Sequence, residues 1–201
     1  MISVEEMKRL EDSCGIPKIT LMQSAGRGIY EQLKKIYDLK GKQILVVCHH
    51  GNNGGDGFVA AEYLSKECEV DIYFIGDEEK LKEEAKANYD IVLKNPKIQF
   101  FDISYYELDL IDFNSYDIII DALLGTGTKG DIKDTMAAVI DKINESKAFK
   151  LSIDVPTGID PNTGKKANKY VEADLTVTFH DIKPGLDPEK TVIVDIGIKQ
   201  L

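Results

Sequence analysis

Residues 44–59 read I-L-V-V-C-H-H-G-N-N-G-G-D-G-F-V: a short apolar run, a glycine-rich segment and the start of a new periodic stretch. Ile44, Leu45, Val46, Val47 and Cys48 are apolar without alternation, the pattern of a strand covered on both faces in a parallel sheet. Gly51, Gly54, Gly55 and Gly57 predict a backbone that turns sharply and approaches a ligand closely, while Asn52, Asn53 and Asp56 are suited to bonding polar groups or capping a helix that starts near Val59. A helix N-terminus leaving such a loop is an anion site, because its free N–H groups and its dipole both favour negative charge. An ordinary strand-to-helix turn would account for one glycine pair. Four glycines and three short polar residues within positions 51–57 point instead to strand, phosphate-binding loop and helix.

Working outward, the same alternation fills the chain. Val70 to Ile75, Ile98 to Phe101, Tyr116 to Ile120, Phe149 to Ile153, Leu175 to Phe179 and Val192 to Ile196 read as strands. Between them, Leu81, Ala85, Asn88 and Val92, and then Met136, Val139, Ile140 and Ile143, recur at helical spacing. Ahead of the first strand, Ser3 with Glu6 and Thr20 with Gln23 have capping-box spacing, which predicts two opening helices broken at Gly15 to Pro17. Met22, Ala25, Ile29, Leu33 and Ile36 give the second of these one buried stripe, and Gly26 and Gly28 let another element or a ligand come close, helix–sheet packing being the favoured reading. The alternation predicts an α/β fold of βαβ units: a mostly parallel central sheet with helices on both faces and ligands outside the carboxyl ends of the strands.

The 201 residues, 43% of them hydrophobic, suffice for one sizeable core, and no linker-like stretch divides them, so a single domain over 1–201 is expected. With 35 acidic against 25 basic residues, a net charge of −10 and no basic run, neither nucleic acid nor an anionic membrane is an expected partner. Cys14, Cys48 and Cys68 lack C-x-x-C spacing, which argues for a reducing compartment and against a disulfide framework or zinc site. No apolar stretch approaches the length of a membrane span and no basic n-region opens the chain, so a cytoplasmic location is expected.

Three further loops begin at strand ends. D-A-L-L-G-T-G-T-K-G-D, Asp121 to Asp131, reads as a second anion cradle; S-I-D-V-P-T-G, Ser152 to Gly158, presents Asp154 ahead of the rigid Pro156; and F-H-D-I-K-P-G-L, Phe179 to Leu186, supplies His180, Asp181 and Lys183. One strand-end aspartate alone is as readily a cap or a turn pin as a functional group. Asp56, Asp121 and Asp154 together, on one sheet edge beside two glycine-rich loops, have the disposition of a site. His49 and His50, adjacent on a strand end, are expected to point opposite ways, and His180 has no partner at ligand spacing, which disfavours a transition metal. The oxygens of Asn53, Asp121 and Thr157 suit a hard cation.

These segments, with A-D-L-T-V-T-F at 173–179, V-D-I-G-I at 194–198 and L-M-Q-S-A-G at 21–26, resemble the YjeF N-terminal domain family, the NAD(P)H-hydrate epimerases, in order along nearly the whole chain. The resemblance implies a Rossmann-like three-layer αβα sandwich with a mostly parallel central sheet, and an isomerase that interconverts the R and S forms of NADHX and NADPHX, hydrated cofactors with a hydroxyl at C6 of the nicotinamide ring. It further implies substrate binding by Asn52, Asn53, Gly54, Gly55 and Asp56 and by Gly125, Thr126, Gly127, Thr128, Lys129, Gly130 and Asp131. Asp154 takes the place of the family's substrate-contacting aspartate and acid/base, and Asn53, Asp121 and Thr157 that of its potassium (K+) ligands. His49 and His50 depart from the family, which usually has a glycine and a small or proline residue there. A homodimer is expected, as is a separate dehydratase acting on the same metabolite, since many family members carry one fused at the C-terminus. The competing expectation is a non-catalytic nucleotide-binding or scaffold domain of the same fold. An NAD-dependent dehydrogenase ranks below both, because G-x-G-x-x-G with its downstream acidic residue is missing after the first strand.

Overall fold

A computed structural model describes residues 1–103, 105–126 and 130–199; of residues 105–107 it describes the backbone. Seven strands form one all-parallel sheet: β1 (Gln43–Cys48), β2 (Glu69–Phe74), β3 (Ile98–Asp102), β4 (Ile118–Ala122), β5 (Phe149–Ile153), β6 (Leu175–Phe179) and β7 (Thr191–Val194). Their spatial order is β3-β2-β1-β4-β5-β6-β7. The chain builds outward from β1 to β3, then crosses back to lay β4 against β1, with Cys48 opposite Ala122 and Val47 opposite Asp121. That reversal opens a crevice at the carboxyl ends of β1 and β4, the usual ligand position in such sheets.

The apolar run of β1 is buried as its lack of alternation predicts. Ile44, Val46 and Cys48 face one core with Ile29, Leu33 and Phe58, whereas Leu45 and Val47 face the other with Val139, Ile140 and Ile143. Helices α1 (Val4–Ser13), α2 (Lys18–Ile36), α3 (Asn52–Leu64) and α4 (Glu83–Lys94) belong to the first face, and α5 (Asp134–Glu145) covers the second. Three layers result.

Local signals hold in part. Ser3 caps α1 through the expected box with Glu6. The Thr20–Gln23 box does not form: α2 starts earlier, with Thr20 N–H and Leu21 N–H already bonding the Pro17 carbonyl, so Thr20 is a helix-interior residue. Met22, Ala25, Ile29 and Leu33 are buried, but Ile36 at the last turn is half exposed. Gly26 packs against Val59 and Gly28 against Val194, where a Cβ would lie 2.4 and 2.3 Å from side-chain carbons. This is the close packing their position predicts.

The larger correction concerns residues 51–57. They are not a loop preceding a helix near Val59: Gly51 is the N-cap, and α3 begins at Asn52. Gly54, Gly55 and Gly57 are helical, and none has positive φ. They are required because α3 presses onto its neighbours. A Cβ on Gly54 would lie 1.7 Å from the His49 carbonyl oxygen, one on Gly55 would meet the Met22 thioether at 2.5–2.6 Å, and one on Gly57 would meet Ala122 at 2.6 Å.

Candidate active site

The glycines draw the start of α3 into the crevice. Gly51 has no side chain to cap the helix, and the first backbone bond is Gly55 N–H to the Gly51 carbonyl, so the N–H groups of Asn52, Asn53 and Gly54 precede the helical ladder. Asn52 is exposed at the cleft, and Asp56, one turn further on, lies on its wall with Glu11 and Phe179. Gly54 and Gly55 are buried and serve the packing just described. Asn53 is 7% exposed, and neither its carboxamide oxygen nor its nitrogen has a hydrogen-bond partner among the described residues. Its oxygen lies beside Gly125 of the loop after β4, 3.4 Å from where a Cβ would stand.

Asp121 closes the neighbouring corner. Its register opposite Ser152 lets the Ser152 hydroxyl donate to Oδ2 at 2.8 Å. Thr157 donates from its backbone N–H at 2.9 Å and from its hydroxyl at 2.7 Å, and Leu123 N–H donates at 3.2 Å. Burial still raises the Asp121 carboxyl above its ordinary range, against the opposing pull of these bonds. The Thr157 hydroxyl in turn accepts from Leu124 N–H at 3.0 Å, tying the loops after β4 and β5 together. Asp121 and Thr157 thus meet directly, and Asn53 approaches the adjoining Leu124–Gly125 stretch. In the second loop Thr126 is partly buried and Gly130 and Asp131 are exposed, whereas Gly127, Thr128 and Lys129 lie outside the described residues.

Asp154 follows β5 in the left-handed region, φ +63°, which few residues other than glycine adopt. The turn aims its carboxylate at Lys183, whose Nζ donates to Oδ1 at 2.6 Å, while the Thr178 hydroxyl donates to the same oxygen at 3.1 Å. Lys183 is 1% exposed, and its ammonium also bonds the Thr178 hydroxyl and the Phe179 carbonyl, at 2.7 and 3.1 Å. Asp154 keeps 16% of its side chain exposed. Of the polar trio at 180–183 only Lys183 enters this constellation; Asp181 pairs with the Met1 amino group at 2.7 Å.

Two carboxyl groups join from other elements. Burial, then the charges of Asp154 and Glu11, push Asp56 well above the ordinary carboxyl range, with Lys183 opposing. Burial and the Asp154 charge raise Glu11 too, against Lys183 and Lys18. Glu11 carries no signal in the sequence, being one glutamate in an acidic helix, and Thr178 stands in a strand pattern where a hydroxyl is unremarked. His49 and His50 do not point opposite ways: they follow the end of β1, where strand alternation no longer applies, and their rings stack at 3.7 Å between centroids. Burial lowers His49 to about 4, and His50 Nδ1 accepts from Asp77 N–H at 3.2 Å. Among the described residues no three His, Cys, Asp or Glu side chains are grouped to hold a metal ion. A larger cavity, bordered by Pro156, Tyr170, Glu172, Leu186 and Lys190, contains none of these groups.

A parallel doubly wound sheet with an open helix N-terminus at its switch point, and an aspartate–lysine pair at the carboxyl ends of the neighbouring β5 and β6, defines a Rossmann-like α/β protein with a strand-end cleft. The profile described as YjeF-related protein N-terminus matches residues 18–185, and the chain belongs to that family. It is 35% identical to the NAD(P)H-hydrate epimerase of Nitrosopumilus maritimus, across 100% of this chain and 94% of that protein. It is 38% identical to the bifunctional NAD(P)H-hydrate repair enzyme Nnr of Methanothermobacter thermautotrophicus over 92% of this chain, and spans 37% of that relative's length. The crystal structure of yeast ynu0 (YNL200c) shares the fold, with a TM-score of 0.80 at 21% identity over 96% of this chain and 86% of the yeast chain.

Proposed function

We propose that this chain is an NAD(P)H-hydrate epimerase, interconverting the R and S forms of hydrated NADH and NADPH. The observation that carries the reading is Asp154: a carboxylate on left-handed backbone paired with a buried lysine, at the carboxyl end of β5 beside the β1–β4 crevice where a Rossmann-like sheet receives its ligand. Relatives with that activity in their names align with the whole chain. The C6 hydrate is a hemiaminal. Protonating its hydroxyl lets the ring nitrogen lone pair expel water, and re-addition to the other face inverts the centre, so a carboxyl that gives and takes a proton is the group required. Asp154 is that group in this reading.

The substrate's diphosphate lies against the first turn of α3 and the described ends of the second loop, Gly125–Thr126 and Gly130–Asp131, held mainly by backbone N–H groups. The orphaned Asn53 carboxamide, with the Asp121 carboxylate and the Thr157 hydroxyl nearby, makes an oxygen donor set that fits a potassium ion better than a divalent one. Such an ion would supply positive charge beside the anionic diphosphate. A dehydratase acting on the same metabolite is the functional partner in this reading, in keeping with the bifunctional names of several relatives. Proton NMR of S-NADHX with and without the protein is the test. Accelerated approach to the epimer mixture is expected; an unchanged rate at stoichiometric protein would refute the reading and favour a binding role.

A further inference from the structure

Inversion by loss and return of water engages both faces of the ring, and a carboxyl fixed on one face directly serves only that face. The hydroxyl leaves one face of the ring and water must add to the other, so a proton is delivered on one face and removed on the opposite one. The cleft holds a second carboxyl suited to the complementary half. Asp56 projects from α3 into the wall shared with Glu11 and Phe179, and the backbone of Phe179 accepts from the Lys183 that also holds Asp154. The two carboxyls are electrostatically coupled, yet their surroundings differ. Asp154 accepts hydrogen bonds from an ammonium and a hydroxyl, whereas only burial and charge, with no hydrogen bond, act on Asp56. Burial and the charges of Asp154 and Glu11 push the Asp56 carboxyl up, toward its protonated form, with Lys183 opposing. Two carboxyls in such unlike surroundings are suited to divide acid and base roles between them.

We propose that Asp56 is a second catalytic residue of the epimerase, acting from the face of the ring opposite Asp154. In one direction Asp56 gives its proton to the C6 hydroxyl and the C–O bond breaks, its electron pair leaving with the new water. The ring nitrogen lone pair forms the C=N bond of the iminium. Water then adds to C6 from the other face, the C=N pair returns to nitrogen, and Asp154 takes the proton released by the attacking water. The enzyme ends with Asp56 ionised and Asp154 protonated, which is the state that runs the reverse epimerisation. Proton exchange with solvent water resets it for another turn in the same direction.

This inference rests on the epimerase reading, and the experiment separates the two. NADHX carrying ¹⁸O at the C6 hydroxyl is incubated as each pure epimer with wild type, Asp56→Asn and Asp154→Asn. Inversion is followed by NMR and loss of label by mass spectrometry, both against the uncatalysed rates and below each variant's melting temperature. If wild type does not accelerate inversion, the epimerase reading itself fails. If it does, both variants are expected to lose inversion by about 10²-fold or more. Each variant keeps one working face, so each should still exchange label from one epimer without inverting it. The epimer should differ between the variants: the one whose hydroxyl faces Asp56 for Asp154→Asn, and the other for Asp56→Asn. Asparagine is close in shape to the protonated carboxyl of Asp56, and circular dichroism with the exchange retained by this variant verifies its fold. Inversion by Asp56→Asn within a few-fold of wild type would overturn the proposal. So would loss of exchange from both epimers in Asp154→Asn, which would leave Asp154 serving both faces alone.

Discussion

Asp154 and Lys183 form a pair whose partners are unequal: the lysine is 1% exposed and the aspartate still reaches solvent. Removing the anion strands a buried ammonium, which costs about 3 kcal/mol or more, so Asp154→Asn should melt lower than wild type as well as epimerise more slowly. The double variant Asp154→Asn/Lys183→Met removes the stranded charge and should recover most of the melting temperature while remaining inactive. If calorimetry shows no recovery, Asp154 is held by something other than this pair. Asp56 gives the opposite sign. Its folded pKa lies above its unfolded value, so its contribution to stability is fully present below about pH 4 and is lost as pH rises toward the folded pKa. Asp56→Asn cannot ionise and should show a flatter stability profile above pH 4, with a melting temperature at pH 7 at or above that of wild type. A steeper fall for the variant would contradict the burial of this carboxyl. Asp121 and Asp154 were legible because each stands at a strand end, and Asp56 because it lies in the glycine-rich segment after β1; Glu11 was not, since only the tertiary placement of α1 brings it to the cleft.

At the scale of the element, α3 shows how a correct motif received the wrong local geometry. Glycines followed by a periodic run are read as a turn because glycine usually supplies positive φ, yet Gly54, Gly55 and Gly57 are helical and their missing side chains admit β1, α2, α4 and β4. The two meanings differ in what a methyl group does. Gly54→Ala drives a Cβ into the His49 carbonyl, which belongs to fixed backbone, and should cost more than about 3 kcal/mol or prevent folding. Gly55→Ala meets the flexible end of Met22, with Ala85 further off at 3.1 Å, and should cost about 1 kcal/mol as the thioether swings aside. Denaturant titration of both variants tests the ranking, and equal losses would argue against the packing account. Strands were the most legible elements: β5 and β6 have the bounds their apolar runs predict, because parallel strands buried on both faces leave no other reading. Helix starts were less so, since capping-box spacing at Thr20 competes with the Pro17 carbonyl, and the carbonyl prevails.

At the scale of the molecule, a chain of net charge −10 in the proposed role receives a substrate that is itself an anion. Screening by salt weakens that repulsion, so a general rise in ionic strength and a specific cation would both favour binding and must be separated. Comparing potassium chloride with tetramethylammonium chloride at equal ionic strength does this, because the larger cation screens but is too bulky for a site of Asn53, Asp121 and Thr157. An unpaired buried carboxamide costs about 1–3 kcal/mol, and in the proposed site potassium would partner the Asn53 oxygen, which tetramethylammonium would not. Potassium at about ten times its dissociation constant would stabilise the fold by roughly 1.4 kcal/mol, or about 3–6 °C in a chain of this size. Asn53→Ala removes the orphaned group and a ligand together. It should therefore melt at or above wild type in tetramethylammonium, gain almost nothing from potassium, and so reverse its rank against wild type when the salt is exchanged. A wild-type melting temperature equal in the two salts would remove the cation from the account of this site, and an undiminished potassium effect in Asn53→Ala would move it to other ligands.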